Sequence, residues 1–191
     1  MIAHAAARIV IGERLGRAPQ AVRFTRGRWG KPRVEDAGQF HFSLSHSGDI
    51  ALVALAARPV GVDVELARAE LDIMRLSRRY FPGNERELVE REGPDAFGRL
   101  WTRKEACVKA AGGRLTQGMA LAVADAECQA VVRALHGPLP GPWRVADLSL
   151  PENYSGAVAL LGDGPFCVSR KMWYSIPPVE PDAKGIGRGV K

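Results

Sequence analysis

Cysteine, long apolar runs and dense blocks of one charge are all scarce in this chain. Its three cysteines, Cys107, Cys128 and Cys167, form an odd set without metal-ligand spacing. This pattern argues against a disulfide framework and predicts reduced thiols in a cytoplasmic compartment. No apolar run approaches the roughly 20 residues that cross a bilayer, so we expect no membrane partner. Residues 1–11 lack the charged start and cleavage site of a signal peptide.

The charge balance is positive. The 27 Lys and Arg residues outnumber the 21 Asp and Glu residues, which gives a formal net charge of +6. Such an excess suggests an anionic partner, either nucleic acid, a phosphate-rich small molecule or an acidic protein. The positive charges are spread along the chain without a long basic run. This distribution argues against nucleic acid.

The pattern of apolar residues predicts a mixed α+β fold. At 191 residues the chain can form one good core or two small lobes. Residues 40–45 and 50–56 read as strands around a turn, and Phe97–Ala111 is the strongest helical stretch. Residues 154–161 echo residues 47–52, which is weak evidence for two related halves.

One strand, Pro59–Leu66, places two acidic side chains on the same face. Alternation puts Asp63 and Glu65 beside Gly61, roughly 7 Å apart along the strand. The opposite face is formed by Val60, Val62, Val64 and Leu66. Like charges at this distance repel unless they face water or share a cation. The strand is therefore either a solvated edge strand or one side of a cation site.

A second acidic candidate lies in the helix. Helical spacing puts Trp101, Glu105 and Val108 on one face, and a carboxylate on an apolar stripe needs a partner. Glu105 could pair with Lys109 four residues later as an ordinary surface ion pair. Alternatively, Glu105 faces inward beside the two strand carboxylates.

The inward alternative predicts a metal site. Asp63, Glu65 and Glu105 would then offer three oxygen ligands, which is how Mg²⁺ is usually held. Lys104 and Lys109 would face the phosphates that the metal bridges. His46 lies among serines at a turn, where it is either structural or one donor of an anion site.

The order of these motifs resembles a known family. Gly61–Glu65 followed by Trp101–Lys109 is similar to the two-part signature of the 4′-phosphopantetheinyl transferases, and the upstream elements are similar to their surfactin-synthetase-activating (Sfp-type) branch. Those elements are Gly30–Pro32, Phe42–Gly48, Tyr80–Phe81 and Glu85. Sfp-type proteins usually carry several dozen more residues before the helix with Arg8, so this chain reads as short at its N-terminus.

The resemblance implies a reaction and an architecture. The enzyme would move the phosphopantetheine arm of coenzyme A to a serine of an acyl or peptidyl carrier protein, using Mg²⁺ and releasing 3′,5′-ADP. The family fold is two similar α+β lobes that form an intramolecular pseudo-dimer. We expect an N-terminal lobe over 1–60, a C-terminal lobe with the metal ligands over 61–175 and a flexible tail over 176–191. Two lobes in one chain favour a monomer.

The resemblance also assigns roles around the metal. Asp63, Glu65 and Glu105 match the family's magnesium ligands. Glu105, or Glu65 through a water molecule, would be the base for the carrier serine. Lys104 and Lys109 match positions that contact the phosphates of coenzyme A and the leaving group.

Further positions would bind the rest of coenzyme A and the carrier. Ser45 and His46 match residues at its diphosphate and 3′-phosphate, and Lys31 and Arg8 match contacts with its nucleotide portion. The carrier is acidic around its serine, and residues 71–91 would form part of the docking face. The arginines of that segment include Arg75, Arg78, Arg79 and Arg86. The alternative is a relative that binds coenzyme A or the carrier without catalysis.

Overall fold

A computed structural model describes residues 2–36, 38, 40–124, 131–133, 139 and 141–173. The helices in these residues are α1 (Ile2–Leu15), α2 (Ile73–Tyr80), α3 (Gly83–Glu92), α4 (Pro94–Ala111) and α5 (Leu115–Gly118). The strands are β1 (Phe24–Arg26), β2 (Pro32–Val34), β3 (His41–Ser47), β4 (Ile50–Ala56), β5 (Val60–Leu66), β6 (Val131–Val132), β7 (Trp143–Asp147) and β8 (Tyr154–Leu161). The segment 176–191, predicted as a flexible tail, lies outside the described residues.

The strands form three antiparallel groups. β1 pairs with β2, β3 pairs with β4, and the larger sheet has the order β5-β8-β7-β6. Helix α4 packs mainly against β5 and β8. This mixture of helices and antiparallel sheet is the α+β class that the sequence predicts. In the described part of the chain, no helix is both long enough and apolar enough to cross a bilayer.

Helix α4 is bounded by two glycines. Gly93 precedes it with φ 69°, and Pro94 occupies its first turn, where a missing N–H costs nothing. Gly112 ends the helix in the left-handed conformation with φ 68°, as glycine readily does. The apolar side includes the fully buried Leu100 and Cys107. The sequence predicted this helix three residues too short at its start.

Gly61 lets α4 lie directly on β5. A Cβ atom at this position would lie 2.0 Å from the carbonyl oxygen of Ala106 and 2.4 Å from the backbone nitrogen of Ala110. No side chain fits there, so the helix backbone occupies the space that the glycine leaves. This contact brings the middle of α4 to the acidic positions of β5.

Strand β4 joins two parts of the core. Val53 and Leu55 pack on a cluster that contains Ile11 and Phe42, while Leu52 packs on a second cluster with Val60 and Val62. An almost entirely apolar run such as residues 50–56 is typical of a strand buried on both faces. Within the described residues both faces make packing contacts, but Ala51 is exposed and the other six side chains are only partly buried, since β4 pairs with β3 along one edge.

Candidate active site

Three carboxylates meet where β5 and α4 cross. Asp63 and Glu65 come from alternate positions of β5, and Glu105 comes from α4. One carboxylate oxygen of each lies within 4.8 Å of the others. Asp63 is only 1% exposed, and the other two are partly buried. The solvated edge-strand interpretation is therefore wrong for Asp63, because α4 covers it.

Burial and mutual repulsion raise the pKa values of these acids. Burial, followed by the charge of Asp63, raises the pKa of Glu105 to about 7. Burial also raises the pKa of Asp63, against the lowering effect of Lys109, and that of Glu65, with Asp63 adding to the shift. Negative charge is therefore unfavourable here unless a cation balances it.

Lys109 partly balances this charge. Its Nζ lies 2.5 Å from Oδ1 of Asp63 and 3.8 Å from Oε2 of Glu105, and it donates a hydrogen bond to Ser45 Oγ at 3.0 Å. Both interpretations of Glu105 therefore hold in part. The side chain faces the strand carboxylates and also lies near Lys109 on the same helix.

One oxygen of this cluster has no partner. Asp63 Oδ2 is buried and accepts no hydrogen bond within the described residues. A buried carboxylate oxygen without a partner is costly unless a ligand completes it. The all-oxygen donor set of Asp63, Glu65 and Glu105 fits a hard divalent cation such as Mg²⁺.

Trp101 orients Glu105. Its Nε1 donates to Glu105 Oε1 at 3.1 Å, one helical turn away. The indole ring stacks on Phe97 with centroids 5.5 Å apart, and Phe97 stacks on Phe81. The sequence placed Trp101 and Glu105 on one face, but the hydrogen bond was not predicted. Their spacing of four residues, which brings side chains together on a helix, could have indicated this hydrogen bond.

Comparison with known proteins identifies the family. The model of the 4′-phosphopantetheinyl transferase superfamily matches residues 59–159, just over half of the 191-residue chain. The chain belongs to the 4′-phosphopantetheinyl transferase superfamily. This confirms the resemblance that the motifs carry, and the match contains all three carboxylates.

Relatives within this superfamily are similar over half of the chain or more. The 4′-phosphopantetheinyl transferase AcpT of Salmonella typhimurium is 34% identical over 158 residues, covering 77% of this chain and 81% of the relative. HetI of Nostoc is 33% identical over 169 residues, covering 82% and 68%. Sfp of Bacillus subtilis is 31% identical over 99 residues, covering 50% and 43%. An Sfp-type assignment is therefore plausible.

Lys104 lies in the core, away from the cluster of Asp63, Glu65 and Glu105. It is 0% exposed, and its Nζ lies 2.5 Å from Oε2 of the equally buried Glu85. It also donates to the carbonyl oxygen of Leu121 and lies 4.7 Å from the centre of the Phe81 ring. The sequence predicted that Lys104 contacts phosphate. In the structure the turn of the helix directs it into the core instead, and the phosphate contact stays a prediction.

Ser45 is fully used by protein partners. Its hydroxyl accepts from the N–H of Val64 at 3.3 Å and from Lys109, and it donates to Asp63 Oδ1 at 2.8 Å. A hydroxyl has one donor and two acceptor sites, so none is left for a phosphate in this arrangement. His46 is exposed, and alternation along β3 puts it on the opposite face from Ser45. The contacts of Ser45 and His46 with coenzyme A stay predictions.

Lys31 and Arg8 both bind backbone carbonyls. Lys31 Nζ donates to Val60 and Ala110 at 2.9 and 3.0 Å, and burial lowers its pKa to about 8. Arg8 donates to the carbonyl oxygen of Val22. Lys31 thus ties β2 to the start of β5 and the end of α4. The predicted contact of Lys31 and Arg8 with the nucleotide portion of coenzyme A stays a prediction.

Proposed function

We propose that this protein transfers the 4′-phosphopantetheine arm of coenzyme A to a serine of an apo acyl or peptidyl carrier protein. The observation that carries the proposal is the meeting of Asp63, Glu65 and Glu105 beside Lys109. A carboxylate set with a neighbouring lysine suits a substrate that carries a diphosphate. Membership of the superfamily gives the reaction class.

The reaction is one displacement at phosphorus. The carrier serine oxygen bonds to the phosphorus next to the pantetheine arm, and the bond from that phosphorus to the bridging oxygen breaks. 3′,5′-ADP leaves with the electron pair, and the serine proton passes to a base. The protein's task is therefore to align the serine, accept its proton and stabilise the charge on the diphosphate.

Mg²⁺ would be held by Asp63, Glu65 and Glu105. When bound, it supplies positive charge that stabilises the diphosphate as the phosphoanhydride bond breaks. Oδ2 of Asp63, which is buried without a partner, supports this assignment.

Glu105 and Lys109 act on the reacting groups in this proposal. Glu105, or Glu65 through a water molecule, takes the serine proton as the general base. Lys109 has a part-exposed side chain and donates to the phosphate oxygens of the leaving group. It changes partners from Asp63 to phosphate when substrate binds.

The carrier docks on α2 and α3. Arg75, Arg78 and Arg79 are exposed on α2, and they line an open groove of about 500 Å³ with Asp72 and Met74. Arg86 is exposed on α3. An acidic carrier surface complements the exposed arginines of α2 together with Arg86, and is drawn to them by long-range attraction.

The two-lobe architecture belongs to the same proposal. A cluster around Ile11 and Phe42 supports a lobe over residues 1–60, and a larger cluster around Leu100 and Trp143 supports a lobe over 61–175. Asp63 and Glu65 lie on β5, the strand at the start of the second lobe, and Glu105 lies on α4, which packs against it. A monomer and a cytoplasmic location stay predictions.

Mass spectrometry tests the proposed function. Incubation of the protein with coenzyme A, Mg²⁺ and an apo carrier should add about 340 Da, the mass of the arm, to the carrier. The Asp63→Ala variant, checked for folding by circular dichroism, should add none. Binding of coenzyme A without any mass change across several carriers would contradict transfer and favour a non-catalytic binder.

A further inference from the structure

Strand β3 contacts one edge of β5 through serine side chains. β5 pairs with β8 along its other edge. Successive outward N–H groups of β5 donate to the Oγ atoms of alternate β3 serines at 3.0–3.3 Å. The three pairs are Val62 with Ser43, Val64 with Ser45, and Leu66 with Ser47. We call these contacts the serine ladder.

The ladder satisfies an edge that would otherwise need water or another strand. Unpaired N–H groups on a buried strand edge are costly. Both strands have a side-chain period of two, so one serine meets each outward N–H. All three serines are buried, with exposures of 5–8%. Hydroxyl oxygens thus take the place of backbone carbonyls.

Two of the three hydroxyls also hold a carboxylate. A hydroxyl that accepts one bond still has a proton to donate. Ser45 donates to Asp63 Oδ1 at 2.8 Å, and Ser47 donates to Glu65 Oε2 at 3.2 Å. At the corresponding position, Ser43 faces Gly61, which has no side chain. Ser43 therefore serves the backbone alone, whereas Ser47 serves the backbone and a carboxylate.

We propose that Ser47 is a positioning residue that sets the orientation of Glu65 for the divalent cation. Glu65 is more exposed than Asp63, and a glutamate side chain at such a position has several rotamers to choose from. The hydrogen bond from Ser47 selects the rotamer that turns the carboxylate toward Asp63 and Glu105. This inference rests on the metal site of the proposed function.

Ser47 can be separated from its neighbours experimentally. Ser45 also contacts Lys109, so its removal disturbs two charged groups. Ser43→Ala and Ser47→Ala each delete one hydroxyl that accepts a β5 N–H, and they differ in the carboxylate contact. Ser43→Ala is therefore the matched control for Ser47→Ala, and Ser47→Thr keeps the donor.

The test is Mg²⁺ titration by calorimetry on the whole protein without coenzyme A or carrier. Ser47→Ala should weaken Mg²⁺ binding about tenfold, as is typical when a ligand loses its outer partner. Ser43→Ala should bind Mg²⁺ as the wild type does, and Ser47→Thr should restore most of the loss. In the transfer assay, Ser47→Ala should raise the Mg²⁺ concentration for half-maximal rate by a similar factor, with kcat at saturating Mg²⁺ nearly unchanged.

Other outcomes overturn the inference. Equal Mg²⁺ affinity in the two alanine variants would mean that the ladder only holds β5 in place. A wild type without measurable Mg²⁺ affinity would contradict both the inference and the metal site. A wild type that binds Mg²⁺ with the predicted Ser47 dependence, but modifies no carrier, would leave the inference standing while the proposed transfer fails.

Discussion

At the scale of single residues, Lys109 acts as a resident cation of the acidic site. Its Nζ contacts Asp63 and lies near Glu105, so it offsets part of the charge that burial makes unfavourable. A divalent cation would compete for the same oxygens. Metal binding and the position of Lys109 should therefore be coupled.

The first prediction concerns Lys109→Met. Without Mg²⁺, we expect the variant to lose about 1–3 kcal/mol of unfolding free energy, because Asp63 is left buried without a cation. Mg²⁺ should then stabilise the variant more than it stabilises the wild type. Denaturant unfolding with and without Mg²⁺ measures both effects.

Lys171→Met provides the control for this prediction, since Lys171 is exposed and pairs with Glu13 on α1. It should change neither the stability nor the response to Mg²⁺. A Lys109→Met variant that gains no more from Mg²⁺ than the wild type would show that lysine and metal do not share the site.

The second prediction concerns pH. Without metal, the folded protein holds a proton on Glu105 up to a pKa of about 7, whereas the ordinary value is 4.5. The folded state therefore binds more protons between these values, and the unfolding free energy should fall as pH rises from about 4.5 through about 7. Mg²⁺ favours the ionised carboxylate, so its stabilising effect should be larger at pH 8 than at pH 5.

Chemical unfolding across this pH range, with and without Mg²⁺, shows whether the unfolding free energy falls or rises with pH. Glu105→Gln should reduce the decline in the metal-free protein because it has no proton to release. Stability of the metal-free wild type that rises between pH 5 and 7 would mean that Glu105 is not buried with the other two acids.

At the scale of elements, α4 carries two different charged contacts on two faces. Glu105 and Lys109 face β5, whereas Lys104 faces α3 and pairs with Glu85. Glu85 Oε1 also accepts from the N–H of Val123. The buried pair of Glu85 and Lys104 therefore ties α3 and the segment after α5 to α4, the helix that carries Glu105.

The third prediction concerns this buried pair. Lys104→Met should cost about 3–5 kcal/mol, because it leaves the Glu85 charge buried without a partner. The double variant Glu85→Leu/Lys104→Met should recover much of that loss, since two apolar groups can replace a buried pair. Thermal unfolding of the single and double variants measures the difference.

Transfer activity separates the structural role of Lys104 from direct binding. A stable double variant that retains transfer supports the structural role. A double variant that is stable but has lost transfer, with a raised KM for coenzyme A, would show that Lys104 reaches the substrate after all.

The sequence predicted elements better than their contacts. The period of two in Val60–Leu66 and the helical period around Glu105 are local properties, so the strand and the helix could be predicted. Helical spacing left the convergence of Glu105 with Asp63 and Glu65 as one of two alternatives, and the family resemblance favoured it. The pairing of Lys104 with Glu85, nineteen positions earlier, was not predicted, because the two residues meet only after α3 packs on α4.

The serine ladder has a pattern in the sequence, but the pattern alone does not predict the hydroxyl contacts. Ser43, Ser45 and Ser47 alternate along β3 with the period of Asp63 and Glu65 on β5. Their contact depends on β3 lying beside β5, although β3 pairs with β4. Nothing local to either strand specifies that neighbour, so the hydroxyl contacts required the tertiary structure.

At the scale of the whole molecule, the positively charged surface and the acidic site lie in different places and would serve different steps. The net charge of +6 favours approach of an acidic partner, and the exposed arginines of α2 concentrate that charge near one groove. The three carboxylates, in contrast, are buried or partly buried, and under the proposed function they would hold the cation at the diphosphate. Docking and chemistry should therefore respond to different mutations.

The fourth prediction follows from this separation. Arg75→Glu/Arg79→Glu should raise KM for the carrier roughly tenfold at low salt, with kcat and KM for coenzyme A nearly unchanged. Arg14→Glu/Arg17→Glu, which reverses two exposed arginines at the end of α1 and just after it, is the control for net charge. An equal effect of all charge reversals would mean that the carrier does not use α2.

Everything in this account depends on one divalent cation held by three acids from β5 and α4. A crystal structure of the protein soaked with Mn²⁺ and coenzyme A, with anomalous data, locates that cation directly. We predict one strong anomalous peak in contact with Asp63, Glu65 and Glu105, with the diphosphate against it and Lys109 turned to the phosphates. A peak elsewhere, or coenzyme A bound with no peak between these carboxylates, would contradict the account.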